Sequence, residues 1–185
     1  HLGFSAPILW YLVRIDLPGG RFRAGATAPG VPFVVIGRNE RVAWGFTTTH
    51  ADTQDVVVER LSGPDAYETE GGPRPFLVRE ERLRSLFGRE EVLRVRETRH
   101  GPVISDLDGS APEGRVLALA ATFLAPGDTA AAGLWALNRA RSIAEAREAA
   151  ARISAPSQNL VVADADGGIA LFLGGRIPIR RAGDG

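Results

Sequence analysis

Apolar residues fall mostly in short runs rich in β-branched and aromatic side chains, separated by glycine and proline, a pattern typical of β-strands. The longest run, residues 8–17, predicts a long buried strand that ends at Pro18-Gly19-Gly20. Residues 32–36 and 41–46 predict a β-hairpin closed by a turn over 37–40. Residues 61–75 are predicted as turns. Further strands are predicted over residues 22–27, 56–58, 76–83, 92–97, 100–104, 115–121, 159–163 and 169–173.

The pattern changes to a helical period only between residues 128 and 153. Ser142 and Glu145 fit a capping box, in which the serine caps a backbone N–H and the glutamate reaches back. One face of the following turns is apolar, as the spacing of a helix requires. Its members are Ile143, Ala146, Ala150 and Ile153. Many strands with a late helical pair predict an α+β fold.

Composition narrows the class of protein but does not identify it. The chain has 185 residues, 44% apolar and 24% charged, with a formal net charge of +0. It is long enough for one core and short for two. Balanced charge gives no reason to expect nucleic acid or an anionic membrane as a partner. No apolar run has the length of a membrane span. Without cysteine, disulfides and thiolate chemistry are excluded.

Polar residues that follow the strand over 41–46 are the first candidates for chemistry. Asp52 and Asp55 lie close to His50, but their spacing matches neither an EF-hand loop nor a zinc motif, and such carboxylates also cap turns. A Ser-His-Asp triad is not favoured, because the chain has no Gly-x-Ser-x-Gly elbow. The stretch from Asp164 to Gly167 resembles the start of a calcium loop, but a hairpin turn explains it better.

A set of short motifs occurs in a fixed order along the whole chain. They are His1-Leu2 with Ala6-Pro7, Pro29-Gly30-Val31-Pro32, Ile36-Gly37-Arg38-Asn39, Ala43-Trp44-Gly45-Phe46-Thr47, Asp52-Thr53-Gln54-Asp55 with Glu59, Thr98-Arg99-His100-Gly101-Pro102-Val103, Pro156-Ser157-Gln158-Asn159 with Ala163-Asp164, Gly167-Gly168-Ile169, and Gly174-Gly175 with Pro178 and Arg180. Taken together, these motifs resemble the penicillin acylase family of N-terminal nucleophile amidohydrolases.

The resemblance implies a four-layer αββα sandwich and amide hydrolysis by the N-terminal serine of a processed large subunit. It implies that residues 1–185 are a single partial domain of that subunit, and that the serine lies upstream of His1. The partners would be the small subunit, the remainder of the large subunit and a small-molecule acyl-amide, such as a β-lactam or an acyl-homoserine lactone. The expected location is periplasmic or extracellular. We expect the isolated chain to be inactive.

The resemblance also implies roles for two residues that stabilise an oxyanion. Asn159 matches an asparagine whose side-chain amide donates to the oxyanion. Thr48 falls where a backbone N–H supplies the second donor, although a small shift in alignment would move that role to Thr49 or His50. Judged without the resemblance, Asn159 is an ordinary asparagine at the start of a strand, where it satisfies a turn.

Four more residues acquire roles only through the resemblance. His1 matches a position near the nucleophile, where it would orient the amine or the serine. Arg180 matches an arginine that helps to organise the site. Asp52 and Asp55 match carboxylates that bind a structural calcium in some members, with other ligands outside this chain. No cofactor is expected for catalysis.

Two alternatives remain open. The chain could belong to a non-catalytic binding or structural module that keeps the same scaffold. A self-contained β-rich ligand-binding domain is disfavoured by the ordered motifs. If the chain is a piece of a larger sheet, its unpaired strand edges predict either stabilisation by partner segments or self-association.

Overall fold

The computed structural model describes residues 6–180, and within them the chain forms twelve β-strands and two α-helices. Two short 3-10 turns lie at Pro18–Gly20 and Thr122–Leu124. The strands and helices are β1 (Tyr11–Leu17), β2 (Arg21–Thr27), β3 (Ile36–Asn39), β4 (Val42–Thr48), β5 (Gln54–Arg60), β6 (Ala66–Thr69), β7 (Gly72–Pro75), β8 (Leu77–Leu83), β9 (Glu91–Glu97), β10 (Arg115–Ala121), α1 (Ala130–Leu137), α2 (Ile143–Ala150), β11 (Gln158–Asp164) and β12 (Ile169–Gly174).

The described residues divide into two compact units, 6–51 with 125–180, and 52–124. The first unit contains an antiparallel six-stranded sheet in the order β1-β2-β3-β4-β11-β12. β4 and β11 therefore pair across a long connection that includes both helices. Whether residues 1–185 act as one partial domain stays a prediction.

Both helices of the first unit pack against one face of the sheet. Alternate residues of β4 and β11 point to that face, as the two-residue period of a strand requires. The buried apolar residues of this core are Val34, Val42, Trp44, Leu137, Ala140, Ala146, Ala149, Ala150, Leu160 and Val162. On the opposite face, Val161 and Leu171 remain exposed, and Leu171 keeps 66% of its accessible surface.

The second unit consists of three two-stranded pairs, β5–β10, β6–β7 and β8–β9. Its apolar cluster is small, comprising Tyr67, Phe76, Val103 and Val116. The buried Tyr67 hydroxyl accepts a hydrogen bond from the backbone N–H of Arg99 at 2.7 Å. The Glu59 side chain, 7% exposed, lies 2.7 Å from the Nδ1 atom of His100. Buried polar contacts therefore accompany the small apolar cluster of this unit.

The strand predicted over residues 32–36 is wrong, because the observed strand β3 begins at Ile36 and includes the predicted turn residues up to Asn39. The backbone of Val34 instead forms two hydrogen bonds with the Asn138 side chain. The Asn138 amide oxygen accepts from the Val34 N–H at 3.0 Å, and the amide nitrogen donates to the Val34 carbonyl oxygen at 2.9 Å. Gly37 forms part of the strand because it faces Gly25. A Cβ atom at Gly37 would lie 2.2 Å from the Ala24 carbonyl oxygen.

The strand predicted over residues 8–17 is present, but it is not buried as predicted. β1 begins at Tyr11 and lies at the edge of the sheet, where Leu12 is 88% exposed. The predicted strand over 100–104 is reduced to two single bridges, in which Pro102 pairs with Glu97 and Val103 with Ala118. The region 61–75, predicted as turns, contains the β6–β7 hairpin.

The predicted helices are confirmed, but α2 ends at Ala150, so Ile153 of the predicted apolar face lies beyond the helix. The Glu145 backbone N–H donates to the Ser142 hydroxyl at 3.3 Å, and the Glu145 carboxylate reaches back to the N–H of Arg141 at 2.9 Å. Ala146 and Ala150 are buried as the periodicity required. The α+β class is likewise confirmed. None of the helices in residues 6–180 has the length and apolar character needed to cross a membrane.

Candidate active site

Asn159 and Thr48 lie together where strand β4 ends and strand β11 begins. The antiparallel register places Gln158 opposite Thr48 and Asn159 opposite Thr47. The Asn159 amide Nδ2 donates a hydrogen bond to the Thr48 carbonyl oxygen at 3.3 Å. Because an amide nitrogen carries two N–H groups, this bond orients the side chain and still leaves one donor for another acceptor.

The position of Asn159 on its strand decides which face of the sheet it occupies. Leu160 and Val162 are completely buried against the helices. Asn159 and Val161 alternate with them and therefore lie on the face that the helices do not cover. A strand backed by a packed core is a rigid support, so the Asn159 amide is held by its backbone as well as by its hydrogen bond.

The segment after Thr48 is fixed to the segment before Asn159. The Thr49 hydroxyl lies 3.3 Å from the Ser157 carbonyl oxygen and 3.1 Å from the Ser157 hydroxyl. The same Thr49 oxygen accepts from the Ala51 backbone N–H at 3.2 Å. Between them, His50 has a φ angle of 55°, in the left-handed region that non-glycine residues seldom adopt. Together these contacts define a sharp turn at the end of β4.

Residues 153–157 are also fixed from the other side. The Gly175 backbone N–H donates to the Ile153 carbonyl oxygen at 2.8 Å, and a Cβ atom at Gly175 would lie only 2.4 Å from the Cα atom of Ser157. The Ser154 hydroxyl donates to Asp128, and this hydrogen bond is the main reason that the pKa of Asp128 lies below its usual value. The loop that leads into Asn159 is therefore tightly constrained.

An apolar cavity of about 450 Å³ opens beside Thr48 and Gln158. Helix α1, strands β3, β4 and β11 and the segment after α2 contribute to its walls. Apart from Thr48 and Gln158, the lining consists of Trp10, Val35, Ile36, Phe46, Leu134, Ile153, Ala155 and Pro156. A cavity with mostly apolar walls and a few polar groups at one end has the character of a small-molecule site.

The turn between β11 and β12 is a hairpin turn, as the Asp-Gly sequence predicted. The Asp164 carboxylate accepts from the backbone N–H groups of Gly168 at 2.9 Å and Asp166 at 3.1 Å. These bonds, led by the one from Gly168, lower the pKa of Asp164, and the charge of Arg41 adds to the effect. The carboxylate is thus used to close the turn.

In the part of the chain that the structure describes, the contacts around Asn159 and Thr48 include none of the other four predicted site residues. His1 lies outside the described residues. Arg180 is half-buried and is the last described residue, beyond β12. Asp52 is exposed, and Asp55 lies in β5 opposite Ala120. Within residues 6–180 no three metal-ligating side chains meet. The calcium site and the roles of all six predicted residues stay predictions.

Ser157 and Gln158 had no assigned role before the structure, and Thr49 had one only as an alternative to Thr48. Thr49 and Ser157 join the two loops, and Gln158 lies opposite Thr48 beside the cavity. Their sequence signal is weak, because threonine and serine at strand ends most often satisfy local backbone groups. Only the β4–β11 register, which no local pattern reveals, brings them together.

Comparison with known proteins supports the resemblance found in the sequence. The profile of the family described as Penicillin amidase matches residues 1–185. An acyl-homoserine lactone acylase QuiP of Pseudomonas fluorescens (strain Pf0-1) is 34% identical over 189 residues, which cover 100% of this chain and 23% of that protein. A penicillin acylase 2 proenzyme of Pseudomonas sp. (strain SE83) is 30% identical, over 84% of this chain and 20% of that protein.

The same relationship is visible in three dimensions. A thermostable penicillin G acylase from Alcaligenes faecalis matches 99% of this chain and 33% of its own, with a TM-score of 0.82 and 24% sequence identity. The chain belongs to the penicillin amidase family, and it has the corresponding part of the N-terminal nucleophile hydrolase fold. It spans less than a quarter of the length of the QuiP relative.

Proposed function

We propose that this chain carries the oxyanion-stabilising part of the active site of an amide hydrolase that removes acyl groups from small molecules. Family membership and relatives named as acylases support this reaction class. The observation that carries the proposal is the 3.3 Å hydrogen bond that holds the Asn159 amide against the Thr48 carbonyl oxygen. This bond brings together two residues assigned to the same step.

The proposed role of Asn159 follows from the two N–H groups of its amide. One orients the side chain through Thr48, and the other donates to the negative oxygen of the tetrahedral intermediate. The main-chain N–H of Thr48 is the second donor. Each preorganised donor of this kind contributes about 2.7–4 kcal/mol to transition-state stabilisation. The rigid strand support matters because the donors must be in place before charge develops.

The nucleophile in this proposal is the N-terminal serine of the processed large subunit, upstream of His1. Its α-amine, with an ordinary pKa of about 7.7–8.0, accepts the hydroxyl proton. The serine oxygen attacks the amide carbonyl carbon, the C–N bond breaks, and the amine leaves with the proton. Water then splits the acyl ester and releases the carboxylic acid. His1 and Arg180 are proposed to orient the amine and the serine.

The acyl group is proposed to lie on the uncovered face of the sheet, which carries the Asn159 side chain and the exposed Val161 and Leu171. Apolar side chains there favour a hydrocarbon part of the substrate through the removal of apolar surface from water. The 450 Å³ cavity is not assigned to the acyl group, because Leu134 of α1 lines it and it therefore lies on the helix-covered face. β-lactam amides and acyl-homoserine lactones both fit this description. The exposed face that carries Val161 and Leu171 is proposed to be covered by the small subunit or the remainder of the large subunit. A periplasmic or extracellular location and a structural calcium at Asp52 and Asp55 belong to the same proposal.

The test begins with the natural mature protein that contains this chain. Its N-terminal sequence and intact mass are measured, and its hydrolysis of N-acyl-homoserine lactones and of penicillin G is assayed. We expect a subunit that starts with serine a short way before His1. We also expect release of the free acid in the assays. An unprocessed polypeptide without amidase activity would contradict the proposal and favour a non-catalytic scaffold.

A further inference from the structure

A second cavity, of about 180 Å³, has a different character because four arginines line it. They are Arg21, Arg23, Arg139 and Arg141, and Glu40 is the single acidic residue in the wall. We call this feature the arginine cavity. The arginine cavity lies at the end of β4 where this strand begins, whereas Thr48 is the last residue of β4. The length of the strand, about 20 Å, therefore separates the cavity from the candidate active site.

Three of the four arginines are held in place by contacts that leave much of each guanidinium unused. Arg23 donates through Nε to the Asn138 carbonyl oxygen at 3.0 Å, and Arg21 donates through Nε to the Pro18 carbonyl oxygen at 3.1 Å. Arg23 and Arg139 both lie over the Trp135 ring, 5.3 and 5.5 Å from its centroid. Such cation–π contacts orient the planar groups without consuming their N–H donors.

The positive charge of the arginine cavity is only partly balanced by its own residues, because four arginines face one glutamate. Within the described part of the chain, none of its four arginines forms an ion pair with a carboxylate, whereas Arg14 and Arg41 each do. The Glu40 carboxylate accepts from the Phe22 backbone N–H at 3.4 Å. Burial lowers the pKa of Arg23 from its usual value, and the charges of Arg139 and Arg21 lower it further, while the charge of Glu40 acts in the opposite direction. An added anion would relieve this repulsion.

We propose that the arginine cavity binds a phosphate-type oxyanion, either free phosphate or a phosphate monoester. The arginine fork offers paired N–H donors that match two oxygens of a phosphate group. Convergence of several such forks in one cavity favours a ligand with more than one negative charge over a single carboxylate. The site is separate from the proposed acyl chemistry and does not depend on it.

The test is calorimetric titration of the whole protein with inorganic phosphate at fixed ionic strength, with glycerol 3-phosphate in a second arm. Saturable binding is expected, and the arm with the tighter binding identifies the source of the phosphate group. The double variant Arg23→Gln/Arg139→Gln should weaken binding about tenfold or more, because charge-assisted hydrogen bonds are lost. Arg115→Gln, at an exposed arginine of the other unit, should bind as the wild type does.

Folding of the variants is checked by thermal unfolding without phosphate. If the double variant does not fold, Arg141→Gln replaces it, because the Arg141 side chain is exposed and only its backbone N–H bonds to Glu145. This single variant should also weaken binding by several-fold. The proposal would be overturned if phosphate bound no more strongly than chloride. It would also be overturned if folded variants and the wild type bound phosphate with equal affinity. Acylase activity should be unchanged in every variant.

Discussion

The two compact units of this chain differ in what stabilises them. Residues 6–51 with 125–180 bury ten apolar side chains between a sheet and two helices, whereas residues 52–124 bury a cluster of four. Seven of the nine ion pairs among the described residues lie in 52–124. Since exposed pairs contribute little, the first unit provides the firmer support, and it carries Asn159 and Thr48.

The difference shows how a site can be placed on a rigid support. A strand packed against helices cannot shift without disturbing a dense core. The Asn159 amide is therefore held in a fixed orientation. The β8–β9 hairpin is the opposite case, because every residue of β8 is exposed and its ion pairs lie at the surface.

The largest expected effect comes from the core of the first unit. Leu137→Ala removes a completely buried side chain between α1 and the sheet. It should lower the free energy of unfolding by about 2–5 kcal/mol, because apolar burial is lost and a cavity remains. The measurement is urea unfolding followed by circular dichroism. Leu171→Ala, at a residue 66% exposed, is the control; equal losses in both variants would show that the helix-backed core is not the main support.

A smaller effect is expected from the core of the second unit. Tyr67→Phe keeps the buried ring but removes the hydroxyl that accepts from the Arg99 N–H. Leaving this backbone donor without its partner should cost about 1–3 kcal/mol. Tyr11→Phe, at a tyrosine 49% exposed, should change stability little. A neutral Tyr67→Phe would mean that polar contacts do not order residues 52–124.

The contribution of the β11–β12 turn to stability should depend on pH. Hydrogen bonds from Gly168, Ile143 and Asp166 lower the pKa of Asp164 in the folded protein. A lowered folded pKa stabilises the protein above the unfolded carboxyl pKa of about 3.9, and this contribution is lost as pH falls through the folded value. Asp164→Asn should therefore lower Tm at pH 7, and the difference should shrink below about pH 4.

The control for this experiment is Asp65→Asn, because the Asp65 side chain is 80% exposed. Its Tm should follow that of the wild type at every pH. A difference for Asp164→Asn that stays constant between pH 7 and pH 2 would show that the charge of the carboxylate does not stabilise the turn.

The smallest effect is expected on the β8–β9 hairpin. Glu90 pairs with both Arg82 and Arg84, but all three side chains are at least 36% exposed. Glu90→Gln should change the free energy of unfolding by less than about 1 kcal/mol, because solvent screens the pairs. A larger loss in urea unfolding would mean that surface charge, rather than the Tyr67 cluster, stabilises the second unit.

Local patterns predicted the parts of the fold that depend on local chemistry. The capping box at Ser142 and the hairpin turn at Asp164 were readable because each uses residues a few positions apart. The start of β3 was not, because the bonds between Val34 and Asn138 join residues 104 positions apart. The burial of β1 was also wrong, since composition does not reveal whether a strand lies at a sheet edge.

The candidate site likewise has parts that the sequence predicted and parts that only the structure shows. The ordered motifs pointed to Asn159 and Thr48, and the register of β4 with β11 brings these two residues together. The contact between Thr49 and Ser157 was not predicted, because it depends on two loops that only the sheet brings close. Asp52, Asp55, His1 and Arg180 have roles that still rest on resemblance alone.

The most direct test is the rate of acyl-amide hydrolysis by Asn159→Ala and Asn159→Asp in the mature protein. Loss of the amide donor should lower kcat about 100- to 1,000-fold with little change in KM, because the interaction forms mainly in the transition state. Asn159→Asp, with the same shape but no amide donor, should lose at least as much. Folded variants that retain the wild-type kcat would contradict the assignment of Asn159 to the oxyanion.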